Sequence, residues 1–170
     1  MAMEFDFRRT DDYAEIATCV TEPSVFRQVS DDGAPPPQEY WPAIAADIWY
    51  VRCDVRAAGI FCGVFALHPK NAVTWEVHTC LRPIARGMAG QIVQALIPWI
   101  WENIEKDEIQ IQRLVTQVPD WNRLALKLAG VAGMTEYGRN PASWLKNGIL
   151  HDVIELGISR PCQSYPASQA

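Results

Sequence analysis

Arg86-Gly87-Met88-Ala89-Gly90-Gln91 stands between a strand-like run and a helical one. A glycine-bearing turn that feeds a helix presents unpaired backbone N–H groups and the positive end of the helix dipole. Arg86 adds a full positive charge, so the segment is suited to cradle a diphosphate. Just upstream, Val73-Thr74-Trp75-Glu76-Val77-His78-Thr79-Cys80-Leu81 alternates apolar and polar positions. As a strand it puts Val73, Trp75, Val77, Thr79 and Leu81 on one face, and Thr74, Glu76, His78 and Cys80 on the other. Glu76 and His78 are therefore titratable neighbours on one face. His68, His78 and His151 show no metal-ligand spacing, so no metal is expected. Ser143-Trp144-Leu145-Lys146 matches an SxxK nucleophile pattern by chance, since it lies in a hairpin without partner motifs.

These residues need elements to hold them. Phe5 and Phe7 alternate around Asp6 as a short first strand, and Asp12 with Glu15 reads as a capping box opening a helix to Val20. Pro23 opens a second helix carrying Val25, Phe26 and Val29, which stops at Ser30-Asp31-Asp32-Gly33. Ala34-Pro35-Pro36-Pro37 is a stiff loop. Ile48–Arg52, Ala58–Leu67 and Ala72–Leu81 follow as an antiparallel meander, turning at Asp54 to Ala57 and at His68-Pro69-Lys70-Asn71. Ile92, Val93, Leu96, Ile97, Ile100, Trp101 and Ile104 form the apolar stripe of a long helix, with a kink expected at Pro98. Leu114–Val118 is a strand, and Asn122–Ala132 a helix ended by Gly133. Met134–Tyr137 and Ile149–Ile158 are the arms of a last hairpin.

The whole is one domain. The chain has 170 residues, 49% apolar and 21% charged, which suits a single globule that buries about 70% of its unfolded surface. The net charge of −5 and the four lysines against eleven arginines leave no polybasic run, disfavouring nucleic acid or an anionic membrane as partner. Cys19, Cys53, Cys62, Cys80 and Cys162 form no CxxC pair and read as reduced thiols of a cytoplasmic protein. No run reaches the length of a membrane span, and the first residues do not resemble a signal peptide. The tryptophans read as core, although Trp41, Trp49 and Trp144 together at the surface would suggest a protein partner.

Leu81-x-Pro83-x-x-Arg86-Gly87 followed by a helix resembles the acetyl-CoA pyrophosphate loop of the Gcn5-related N-acetyltransferase (GNAT) superfamily. Asn122-x-x-Ala125-x-x-Leu128 and then Gly133-Met134 resemble its later coenzyme-binding helix. Pro23-Ser24-Val25-Phe26, Phe65-Ala66-Leu67-His68-Pro69, Thr74-Trp75-Glu76-Val77-His78 and Asn140-Pro141-Ala142-Ser143 resemble small acetyltransferase-like proteins of tailed bacteriophages. The resemblance implies an α/β (α+β) fold: a mixed, mostly antiparallel sheet of about seven strands with about four helices, splayed between its fourth and fifth strands.

It also implies one acyl-CoA N-acyltransferase-like domain over residues 1–160, with 161–170 a loose tail. The implied function is direct transfer of an acetyl group from acetyl-CoA, the cosubstrate, to an amine on a small molecule or protein. Glu76 and His78 are then the candidate bases. Thr79, Leu81, Arg86, Gly87, Met88, Ala89, Gly90, Gln91 and Asn122 are the coenzyme-binding residues. Asp31 and Asp32 would lie near the acceptor mouth and attract a cationic amine. Three positions depart from the family pattern: Ala89 and Gln91 in the loop, and Ala129 where the general-acid tyrosine aligns. They motivate a second reading, a virion or head-assembly component that keeps the fold without catalysis and partners phage structural proteins. A homodimer is compatible with either.

Overall fold

Local signals set where the elements begin. In the computed structural model, which describes residues 3–106 and 109–161, Asp12 caps α1 (Tyr13–Thr21) by accepting a hydrogen bond from the Glu15 amide at 3.0 Å. The expected capping box is half formed. Thr10 Oγ1 takes the Asp12 amide, and the Glu15 carboxylate turns to Arg52 instead. Pro23 opens α2 (Pro23–Val29), where its missing N–H leaves nothing unpaired. Asn122 caps α4 (Arg123–Val131), its Oδ1 accepting from the Ala125 amide at 3.1 Å.

The strands are β1 (Phe5–Thr10), β2 (Trp49–Val55), β3 (Ile60–Pro69), β4 (Thr74–Leu81), β5 (Glu105–Lys106), β6 (Ile109–Gln110), β7 (Arg113–Pro119), β8 (Thr135–Lys146) and β9 (Ile149–Ser159). β5 and β6 pair only with each other; the others form one seven-stranded sheet in the order β1-β2-β3-β4-β7-β9-β8. All its pairings are antiparallel except β4 with β7. The mixed sheet and its four α-helices match the expected fold class.

Two apolar layers sandwich the sheet. α3 (Ala89–Asn103) buries Ile92, Val93, Leu96, Ile97, Ile100 and Trp101 against Val51, Phe65, Leu67, Trp75 and Val77, and α4 closes the same layer with Ala129. Each such aliphatic side chain contributes about 1.5–3 kcal/mol on burial. Pro98 sits on the exposed side of α3, and the helix continues through it to Asn103. On the opposite face, Ile16, Cys19, Val20 and Val25 of α1 and α2 pack on Tyr50, Val64 and Cys80. Burial pushes the Cys19 thiol up to about 11 and the Cys80 thiol up to about 12, as inert core thiols require. Of the seven tryptophans only Trp41 is mostly exposed. Trp49 packs edge-on against Trp75, so the surface cluster of Trp41, Trp49 and Trp144 does not form.

Several boundaries differ from expectation. β3 runs two residues further than Leu67, because His68 and Pro69 stay in the ladder and the turn falls at Lys70 to Val73. β8 runs from Thr135 to Lys146 rather than stopping at Tyr137, with register shifts between Glu136 and Gly138 and between Asn140 and Trp144. It is an edge strand, where Pro141 withholds no ladder hydrogen bond from an inner neighbour. The positive φ of Asn147 and Gly148, 52° and 73°, makes its two-residue turn into β9. Residues 162–170, most of the expected tail, and Cys162 with them, lie outside the described residues. Among the described residues no helix is long and apolar enough to cross a membrane.

Candidate active site

The parallel pairing of β4 with β7 lasts for three residue pairs and ends at Glu76–Val115. β7 stays paired with β9 on to Pro119, and β4 with β3 on to Leu81. Beyond Glu76 the two inner strands therefore diverge, giving the expected splay. Ladder geometry shows which groups line it. The Lys70 amide donates to the Thr74 carbonyl and the Arg82 amide to the Cys62 carbonyl, so even-numbered residues of β4 bond to β3. Antiparallel hydrogen bonding alternates, so the backbone N–H and C=O of Thr79 and Leu81 point into the gap. Gly63 lets β3 come close here: a Cβ on it would lie 2.3 Å from the Cys80 carbonyl oxygen.

β4 leads at Pro83 into a single 3-10 turn, Pro83–Met88, that runs straight into α3. The turn already satisfies some of its own amides: Ala85 donates to the Arg82 carbonyl, and Ala89 to that of Arg86. No side chain caps the N-terminus of α3. Arg86 and Gly87 are exposed, and Arg86 makes no hydrogen bond or ion pair with any described residue. Met88 packs on the core, Gly90 faces Val131 of α4, and Gln91 is exposed. The predicted loop thus forms at the mouth of the splay, with its charge unengaged.

Glu76 and His78 project from the face of β4 that also carries Cys80. The β3–β4 register sets His68 directly opposite Glu76 and Ala66 opposite His78. The Glu76 side chain is only 5% exposed, and its Oε2 accepts from Lys70 Nζ at 3.0 Å. His78 Nε2 lies 3.6 Å from Glu76 Oε1, and His68 Nε2 lies 3.7 Å from Oε2. The two imidazole Nε2 atoms are 3.1 Å apart, with the rings stacked at 17°. Desolvation holds the His78 ring below the usual histidine range; His68 and Lys70 act in the same sense and Glu76 opposes them. Glu76 in turn raises Lys70. Spacing along the chain could not show this assembly. Its signal was cross-strand, in the pairing of His68 with Glu76, and placing His68 in a turn hid it.

Across the gap, Glu155 of β9 accepts from Gln117 at 3.3 Å and from Asn140 at 2.9 Å. The Arg113 guanidinium sits 4.9 Å over the Tyr137 ring. Tyr137 is half exposed, and its hydroxyl is raised above the ordinary range, by desolvation first and then by Glu155.

Other expected site residues are engaged elsewhere. Asn122 is buried, and besides capping α4 it donates through Nδ2 to the Gln28 carbonyl at 3.3 Å, so its side chain ties α4 to α2. Asp32 is engaged within the protein. Its carboxylate accepts from the Asn147 and Gly148 amides at 2.9 and 2.8 Å, anchoring the β8–β9 turn, while Asp31 accepts from the Gly33 amide. Ala129 is buried in the α4 core and carries no proton donor. Ser143 and Lys146 of the SxxK match do not meet, since Ser143 Oγ donates to the Asn140 carbonyl and Lys146 Nζ to that of Ser30.

No family model matches the chain, and no curated protein matches it. Solved structures do. Spermidine N-acetyltransferase from Vibrio cholerae, in complex with CoA and spermine, superposes with a TM-score of 0.72 at 14% identity, over 91% of this chain and 95% of that one. A protein assigned as a phosphinothricin N-acetyltransferase gives 0.67 at 18% identity, over 92% and 98%. One from Acinetobacter baylyi, assigned as an acetyltransferase, gives 0.69 at 15%, over 99% and 98%. The chain has the GNAT acetyltransferase fold.

Proposed function

We propose that this protein is an acetyl-CoA-dependent N-acetyltransferase acting on an amine, by direct attack in a ternary complex. The observation that carries the reading is the β4–β7 splay: it opens toward an exposed, unengaged Arg86 at the start of α3 and lies beside the Glu76–His78 pair. The structural neighbours share this fold, and one of them is a spermidine N-acetyltransferase in complex with CoA. Arg86 and the amides around Gly87, Met88, Ala89, Gly90 and Gln91 hold the diphosphate. The open backbone groups of Thr79 and Leu81 hold the pantetheine arm, and Asn122 fixes the start of α4 from behind.

In the reaction the amine nitrogen attacks the thioester carbonyl, a C–N bond forms and the C–S bond breaks. The amine proton passes to Glu76 or His78, directly or through water, and the departing thiolate takes up a proton. Ala129 cannot supply that proton, so it comes from another donor. Ala89, Gln91 and Ala129 are what the virion-component reading rests on, and none of the structural neighbours named above points to a phage origin.

The test is calorimetry with acetyl-CoA on the parent and on Arg86→Ala. A charge-assisted hydrogen bond is worth about 1.5–3 kcal/mol, so the variant should bind about ten- to a hundredfold more weakly. Because Arg86 is exposed and unengaged, stability should change by less than about 0.5 kcal/mol. No binding to the parent at millimolar acetyl-CoA overturns the reading.

A further inference from the structure

We propose that His68, Glu76 and His78 form a binding site for a divalent transition-metal ion, held by two imidazole Nε2 atoms and one carboxylate. The ligand atoms of the three groups lie within 4.8 Å of one another. Two ligands each about 2.1 Å from a metal and 3.1 Å apart subtend about 95° at it; the His78 Nε2–Glu76 Oε1 pair, 3.6 Å apart, subtends about 120°. Both angles suit a three-ligand site with open positions.

Three groups of metal-ligand type converge here. Both histidine Nε2 atoms converge on each other and on a carboxylate, yet neither reaches that carboxylate at hydrogen-bond distance. Between two neutral imidazoles at 3.1 Å one Nε2–H donates to the other ring's lone pair, and moving that proton to Nδ1 leaves both Nε2 lone pairs facing the same point. A metal ion accepts all of them at once. His68 and Glu76 are directly paired on adjacent strands and His78 lies two residues along β4 on the same face, which holds their spacing without help from a loop.

Lys70 is the competitor. Its ammonium already sits on Oε2 at 3.0 Å, but its side chain is 45% exposed, within reach of water. Oε1, the oxygen 3.6 Å from His78 Nε2, is not the one that Lys70 holds. The donor set of two imidazoles and one carboxylate selects zinc, cobalt or nickel over magnesium and calcium, which prefer oxygen throughout.

The inference does not rest on acetyl transfer, and metal binding is read without it. Where both hold, the ion occupies the lone pairs that the base needs, and the metal-loaded chain is the idle form. The experiment is calorimetric titration of the full chain with zinc chloride, in a Cys162→Ser background so that this thiol adds nothing. One zinc per chain is expected, unaffected by excess magnesium. His68→Ala and Glu76→Gln, checked by thermal melting to be folded, should each weaken binding at least tenfold. Lys70→Ala should tighten it several-fold. Cobalt should give a ligand-field absorption band that His68→Ala abolishes. No uptake at about 0.1 mM zinc, or uptake that His68→Ala leaves unchanged, overturns the proposal; the latter would place the ion elsewhere, as at the Asp120–His151 pair.

Discussion

Two charged clusters, on strands β2 and β4 either side of β3, are built on opposite principles. Around Arg52 of β2 every charge is answered. Its guanidinium meets Asp54 in a fork, Nε to Oδ2 at 2.8 Å and Nη2 to Oδ1 at 2.7 Å. It also donates to Glu15 of α1 and lies 4.3 Å over the Phe61 ring. Around Glu76 of β4 the carboxylate is just as buried but has one ammonium at hydrogen-bond distance, with two imidazoles just beyond it. A planar fork that saturates a carboxylate fixes one geometry, and it aims the remaining Nη1 at Glu15, which ties α1 to the sheet. A carboxylate with one oxygen left over, beside two imidazoles that bond each other, keeps chemistry available. The first cluster belongs to the fold and the second to the site.

The largest expected effect breaks the first cluster. Arg52→Ala strands Asp54, 10% exposed, without its fork, and removing one partner of a buried pair typically costs about 3–5 kcal/mol. Urea denaturation should show a loss of about 3 kcal/mol, with acetyl-CoA affinity in the surviving folded fraction unchanged. A loss below about 1 kcal/mol would show that the network is as dispensable as a surface pair.

Glu76→Gln should show the converse. If Glu76 or His78 receives the amine proton, acetyl transfer falls by about a hundredfold while stability moves by less than about 1 kcal/mol, because the amide keeps the shape and Lys70 turns to water. Steady-state kinetics should place the loss in kcat rather than in the KM for acetyl-CoA. Large destabilisation with unchanged kcat would put Glu76 in the same structural class as Asp54.

How much of this was legible in the sequence follows from how far each signal reaches along the chain. Helix starts were, because Asp12 and Asn122 cap amides three residues on and Pro23 acts through its own fixed φ. The Arg86 turn and the alternating faces of β4 were legible for the same reason. The splay depends on where β7 stops pairing with β4, a contact between residues some forty positions apart, and only family resemblance suggested it. The triad was hidden by Pro69 and Asn71. They read as turn residues, although Asn71 alone shapes the turn, through Oδ1 accepting from the Val73 and Thr74 amides, and His68 remains in the strand. The length of β8 was hidden by its bulges and by Ala142 at φ 48°, which break the two-residue period on an edge where Pro is tolerated.

Asp32 tests whether satisfaction or burial separates the two clusters, since its carboxylate is saturated like that of Asp54 yet fully exposed. The Gly148 amide first, then that of Asn147, holds its carboxyl below the usual aspartate range. A carboxyl with a depressed folded-state pKa stabilises above its unfolded pKa, and that contribution disappears as pH falls through the folded value. Asp32→Ala should therefore lower the melting temperature at pH 7, by less than Arg52→Ala does. The gap between parent and variant should narrow steadily below about pH 4 and close once the parent carboxyl is protonated. Melting curves of both proteins from pH 7 to pH 2.5 measure it. A gap that stays constant with pH would mean that Asp32 acts through the shape of its turn, so that charge saturation alone does not mark a structural carboxylate in this fold.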